Sequence, residues 1–160
     1  MLNQETIAFV GSGVMAAAMI KGLLRDGLVT PEKVIGSGPR PERAQELSER
    51  YGVRTTTDNV EAVTGADVVV LAIKPQVLCP VLEELGGHVD PKALVVSIVA
   101  GAKMDTIRRM LETPAVVRVM PNTPAQIGMG ISVWAATEAT SERQHTQALT
   151  LLRALGEEVY

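Results

Sequence analysis

The run Ile7-Ala8-Phe9-Val10-Gly11-Ser12-Gly13-Val14-Met15-Ala16 constrains this chain more than any other feature. Four apolar residues lead straight into the pattern G-x-G-x-x-A. Beyond it, Met15, Ala18, Met19, Gly22 and Leu23 recur at the i, i+3, i+4, i+7, i+8 spacing of a buried helical face. The segment therefore reads as a strand, a tight turn and a helix that stops near Gly27, a natural C-terminal cap. In that setting Gly11 permits the turn, Gly13 leaves room for a closely approaching group, and small Ala16 lets the helix pack on the sheet. The free N–H groups of the first helical turn and the positive end of the helix dipole suit a pyrophosphate. A glycine turn without a ligand is the alternative for the motif alone, so the later segments decide.

Short apolar runs rich in β-branched residues alternate with longer segments of helical period along the rest of the chain. Strands are expected near 6–10, 33–36, 54–55, 67–73, 93–98, 115–119, 131–135 and 157–160, with helices between them. This is the pattern of repeated βαβ units. It predicts an α/β fold of the Rossmann type: a doubly wound, mostly parallel sheet with helices on both faces, one domain spanning residues 1–160. The chain is 46% hydrophobic with one Phe, one Trp and two Tyr, so its core is aliphatic, as suits helices layered on a parallel sheet. Pro39 and Pro41 frame the start of the second helix, and Pro75 and Pro121 are expected in the first turns of two more.

Several function classes drop out. The formal net charge is -3 and Lys and Arg are scattered, which gives no footprint for nucleic acid. Cys79 is the only cysteine, so no intramolecular disulfide or cysteine cluster forms, and it is expected to be a small buried hydrophobe in a reducing compartment. No apolar stretch approaches the length of a membrane span and the N-terminus does not read as a signal peptide, so the expectation is a cytoplasmic protein away from the membrane. His88 and His145 are expected at the surface. Neither belongs to a Ser-His-Asp or HExxH pattern, no metal site is expected, and no carboxylate pair stands out as acid and base.

Cofactor choice turns on the end of the second strand. A carboxylate there accepts from the ribose 2′-OH of NAD. This chain has Val34-Ile35-Gly36-Ser37-Gly38-Pro39-Arg40 instead. Ser37 does not repel a 2′-phosphate, and Arg40 or Arg43 can pair with one, so NADP is the expected cofactor. Arg40 is the stronger candidate because it sits in the loop; for both arginines the alternative is a solvated helix start. Lys74 ends an apolar strand where open α/β sheets bind ligands, either as a charge partner or as an ordinary exposed cation. The segment Arg118-Val119-Met120-Pro121-Asn122-Thr123-Pro124 again follows a strand and, stiffened by two prolines, reads as a rigid wall beside the nicotinamide or simply as a turn.

Taken together these segments resemble the pyrroline-5-carboxylate reductases, which make proline by reducing a cyclic imine with NAD(P)H. The likeness runs through essentially the whole chain. It rests on Phe9-Val10-Gly11-Ser12-Gly13-Val14-Met15-Ala16, Leu71-Ala72-Ile73-Lys74-Pro75-Gln76, Ser97-Ile98-Val99-Ala100-Gly101, and most specifically on Arg118-Val119-Met120-Pro121-Asn122-Thr123-Pro124 followed by Gly128-Met129-Gly130. The resemblance implies that Gly11, Ser12, Gly13, Val14 and Met15 hold the pyrophosphate, Ser37 and Arg40 the 2′-phosphate, and Asn59 the adenosine side. Ala72, Lys74 and Pro75, with Met120, Pro121 and Asn122, border the nicotinamide, Lys74 and Asn122 lying toward the substrate. It also implies proline biosynthesis, NADPH preferred over NADH, and hydride transfer to a C=N carbon with little side-chain acid-base chemistry. Members of that family continue into an all-helical domain that dimerises and holds the substrate carboxylate. This chain stops at Tyr160, so the expectation is the cofactor-binding part, with a homo-oligomer formed through the helical domain. A β-hydroxyacid-dehydrogenase-like oxidoreductase and a non-catalytic NADP-sensing module are the competing readings.

Overall fold

In the computed structural model, which describes residues 2–160, every expected strand is present. β1 (Ile7–Val10) runs into α1 (Val14–Arg25), β2 (Val34–Ser37) into α2 (Pro41–Tyr51), and β3 (Arg54–Thr56) into α3 (Asn59–Val63). β4 (Val68–Leu71) is followed by a 3₁₀ turn (Pro75–Val77) and α4 (Leu78–Leu85), and β5 (Leu94–Ser97) by α5 (Met104–Leu111). β6 (Val116–Pro121) passes through a 3₁₀ segment (Thr123–Ile127) into β7 (Gly130–Ala136), and α6 (Glu142–Arg153) leads to β8 (Gly156–Val159). One sheet holds all eight strands in the order β3-β2-β1-β4-β5-β6-β7-β8. β1 to β6 are parallel, β7 is antiparallel to β6, and β8 is parallel to β7.

The central strands are buried on both faces, which explains why they read as continuous β-branched runs and not as alternations. Ile7 and Phe9 of β1 face a cluster with Met19, Ile20 and Leu23 of α1, Leu47 of α2 and Leu151 and Leu152 of α6. Ala8 and Val10 face the other side, with Ala62 and Val63 of α3, Leu82 and Leu85 of α4 and Ile107 and Leu111 of α5. The helices thus form two layers, α1, α2 and α6 against α3, α4 and α5. Phe9, the only phenylalanine, is fully buried at the centre of the first layer. Phe9→Ala is expected to cost about 3–5 kcal/mol, since transfer and cavity losses add there. Urea denaturation checks this; a loss below about 1 kcal/mol would mean the layer repacks.

Three expectations are corrected. Pro121 does not open a helix: it ends β6 opposite Ser132 of β7, and the following 3₁₀ segment starts two residues later, with Pro124 in its first turn. The reason is a hairpin at this point, where the chain reverses instead of crossing over. Cys79 is exposed. Leu78, Leu82 and Leu85 supply the buried stripe of α4, and the position after Leu78 is rotated by about 100° away from it. His145 is half-buried, its ring 5.6 Å from that of Trp134 and 5.3 Å from that of Tyr160, whereas His88 is exposed as expected. Among the described residues no helix is long and apolar enough to cross a membrane, and no group of His, Cys, Asp and Glu could hold a metal ion.

Candidate functional site

The chain leaves β1 outward to β2 and β3 and returns to β4 on the other side, so a crevice opens at the carboxyl ends of β1 and β4, the usual ligand position in such sheets. Backbone bonding extends one step past the strand ends there. Gly11 N–H donates to Ser37 O at 2.8 Å, Ala72 N–H to Val10 O at 2.8 Å and Ile98 N–H to Leu71 O at 3.1 Å. Gly11 has φ 110°, and a Cβ on it would collide with the Ala72 carbonyl. Only glycine meets both demands.

Gly13 is the N-cap of α1, and no side chain caps this helix; its first turn holds no acidic residue either. α6 opens with a full capping box, Ser141 with Gln144, and the Asp58 carboxylate caps α3, whereas α2, α4 and α5 share the lack of a side-chain cap; what sets α1 apart is its start directly behind the glycine turn at the carboxyl end of β1. The N–H groups at the start of α1 are thus free of any side-chain acceptor at the position where such sheets bind ligands. A Cβ on Gly13 would meet no atom within 4 Å, so the room in front of these donors is open. An anionic pyrophosphate fits such a cradle by both hydrogen bonding and dipole.

Ser37 lies behind the loop surface, and Asn59 is part-buried against it. Ser37 is fully buried, its hydroxyl donating to Asn59 Oδ1 at 2.7 Å, and Asn59 Nδ2 donates to Glu84 Oε2 at 3.0 Å. Arg40, the exposed N-cap of α2, has no ion-pair partner among the described residues. Arg43 is engaged by Glu46 Oε2 at 2.9 Å, which leaves Arg40 as the freer cation of the two. A residue outside the expected set joins them: a Cβ on Gly38 would collide with Ser12 Oγ, so the loop after β2 presses directly on the glycine turn. Its signal in the sequence is a small residue next to the strand end.

Lys74 is exposed and caps the Pro75–Val77 turn just beyond Ala72. The Met120–Pro124 wall belongs to a structured corner. Asn122 Oδ1 accepts from Ile131 N–H at 2.9 Å and Asn122 N–H donates to Ile131 O at 3.3 Å, which clamps the turn between β6 and β7. The Thr123–Ile127 segment packs on α1, and Gln126 lines a cleft of about 330 Å³ together with Ser12, Gly13, Val14 and Arg43. Nothing in the sequence singles out Gln126; only the tertiary approach of the corner to α1 reveals it. Met120, near the end of β6, is half-exposed.

An uncapped helix behind a glycine turn, at the switch point of a doubly wound sheet, defines a dinucleotide-binding fold of the Rossmann type. The chain belongs to the family described as NADP oxidoreductase, coenzyme F420-dependent, whose sequence model matches residues 6–101. Among curated proteins it is similar to a pyrroline-5-carboxylate reductase of Vibrio alginolyticus, 38% identical over 156 residues, covering 97% of this chain and 57% of the relative. One from Pseudomonas aeruginosa is 40% identical over the same shares. Among solved structures, a pyrroline-5-carboxylate reductase of Coxiella burnetii superposes with a TM-score of 0.91 at 32% identity, over 98% of this chain and 58% of that one. The chain thus spans a little over half the length of these relatives.

Proposed function

We propose that the chain is the cofactor-binding half of a pyrroline-5-carboxylate reductase, which reduces 1-pyrroline-5-carboxylate to L-proline with NADPH in the cytoplasm. The observation that carries the reading is the uncapped start of α1 with open space at Gly13, in a chain 38–40% identical to enzymes of that name. Bound there, NADPH supplies the hydride that the imine carbon accepts.

The residues present divide the binding work. Ser12, Gly13, Val14 and Met15 offer backbone donors to the pyrophosphate; Gly11, whose own N–H is bonded to Ser37 O, makes the turn that places them, and Gly38 holds the next loop against them. Arg40 takes the 2′-phosphate as a charge-assisted partner; Ser37 acts through Asn59, bracing the adenosine side from within. Ala72, Lys74 and Pro75 face Met120, Pro121 and Asn122 across the nicotinamide end. The Asn122 side chain is already bonded to the β6–β7 turn, so its first contribution is a rigid wall. Lys74, which has no ion-pair partner among the described residues, is the cation toward the substrate. The clamp on the substrate carboxylate belongs to the part of the relatives that this chain does not span, a helical domain through which the whole enzyme forms a homo-oligomer.

Arg40 provides the test of the cofactor reading. NADPH is expected to bind more tightly than NADH, and Arg40→Ala to weaken NADPH by roughly 10- to 100-fold, the loss of one charged hydrogen-bonded contact of about 1.5–3 kcal/mol, with NADH little changed. Added salt should erode the NADPH advantage preferentially, because the contact is exposed. Calorimetric titration of both nucleotides at two ionic strengths decides it; equal affinities at low salt remove Arg40 from the site.

A further inference from the structure

A carboxylate on α4 reaches into the adenosine side of the crevice. Glu84 stands on the last turn of α4, and its Oε2 accepts from Asn59 Nδ2 at 3.0 Å. At the other end of the same amide, Asn59 Oδ1 accepts from the Ser37 hydroxyl at 2.7 Å. The Ser37 hydroxyl also lies 3.4 Å from the Phe9 carbonyl, but its single proton goes to the nearer acceptor. The other acidic side chains of the α3 segment are committed elsewhere. Glu61 Oε2 accepts from Thr56 Oγ1 at 2.6 Å, and Asp58 Oδ1 accepts from the N–H groups of Val60 and Glu61. Glu84 is thus the carboxylate that meets the Asn59 amide.

A side-chain amide can turn over and exchange its donor and acceptor ends, and a serine hydroxyl bonds in either sense. Ser37 therefore does not decide which end of Asn59 faces it. Glu84 does, because a carboxylate only accepts: turned over, the amide would set Oδ1 against Oε2. With the amide held this way, one N–H of Nδ2 goes to Glu84, and the second has no acceptor among the described residues.

We infer that Glu84 is a positioning residue for the dinucleotide, locking the Asn59 amide so that a donor is offered to the oxygens on the adenosine ribose. The inference rests on the cofactor placement proposed above. A 2′-phosphate only accepts, so a locked donor suits NADPH. Glu84 does this against its own charge. A carboxylate beside the crevice repels a polyanion, so charge alone gives the opposite sign for its replacement.

Calorimetric titration of NADPH into the 160-residue chain separates the two, with circular dichroism and thermal unfolding to confirm that each variant is folded. Glu84→Ala frees the amide and is expected to weaken NADPH about three- to tenfold, the range that ordering one side chain on binding accounts for. Glu84→Gln keeps an acceptor in its Oε1 and should stay within about twofold of wild type. Glu84→Lys offers only donors and should weaken binding at least as much as Glu84→Ala, although it adds a positive charge. In an Asn59→Ala background, Glu84→Ala should change affinity by less than about twofold, because the group it acts through is gone. Affinities that rise steadily from Glu through Gln to Lys at position 84 would overturn the inference, as would a Glu84→Ala variant that matches a wild type able to bind NADPH; both leave the cofactor placement standing. A wild-type chain without saturable NADPH binding overturns the placement and the inference together.

Discussion

Replacing Gly13 by Val is expected to lower NADPH affinity about a hundredfold or more while the fold survives. The two halves of that expectation have separate causes. A Cβ at residue 13 meets no atom of the chain within 4 Å, and the backbone there is extended (φ -80°, ψ -171°), so a side chain is accepted without strain. The isopropyl group then fills the space in front of the N–H donors that no side chain caps. Removal of two charge-assisted hydrogen bonds to the pyrophosphate, at roughly 1.5 kcal/mol each, accounts for the size of the effect. Calorimetry on a variant with unchanged circular dichroism reads it directly; unaltered affinity would place the pyrophosphate elsewhere. The counterpart is Gly11→Val, whose side chain would strike the Ala72 carbonyl, so that variant should lose the fold of the turn together with the binding.

A second large effect concerns turnover. The 160-residue chain, saturated with NADPH, is expected to reduce pyrroline-5-carboxylate at least roughly 10⁵-fold more slowly than a full-length relative. Hydride transfer needs the imine carbon held about 3–3.5 Å from the nicotinamide, and such positioning accounts for about 7–11 kcal/mol of barrier lowering. Lys74 is exposed, and the Asn122 side chain is already committed to the β6–β7 turn, so the described residues grip one end of a small substrate at most. Loss of absorbance at the nicotinamide band, followed beside the relative, measures the ratio. Turnover within tenfold of the relative would show that the site is complete in this chain.

Much of the fold is legible in the sequence. Parallel strands buried on both faces appear as β-branched runs, and the glycine turn after β1 marks the start of a helix that is open to a phosphate. The positions that depart from expectation share a cause: residue type alone does not tell the side on which a residue falls. Free cysteine is usually buried, but the spacing of Leu78, Leu82 and Leu85 turns Cys79 outward. Ser37 is read from its place at the strand end, and only the period of a strand shows that its side chain falls on the side of Ile35, which faces the α3 and α4 layer. Pro121 resembles a helix start because nothing local distinguishes a crossover from a hairpin; the antiparallel return of β7 depends on pairing with a distant segment. Gly38 against Ser12 and Gln126 beside Val14 are approaches between separate loops, which no local pattern encodes.

Backbone amide NMR during an NADPH titration of the 160-residue chain tests the placement of the cofactor most directly. Saturable shifts are predicted for Gly11 to Met15, Gly38 and Arg40, spreading to Ala72, Lys74 and Gln126, with the Arg40 change muted when NADH replaces NADPH. Saturable shifts confined to other surfaces, or none at millimolar NADPH, would contradict the placement of a nicotinamide dinucleotide at the start of α1.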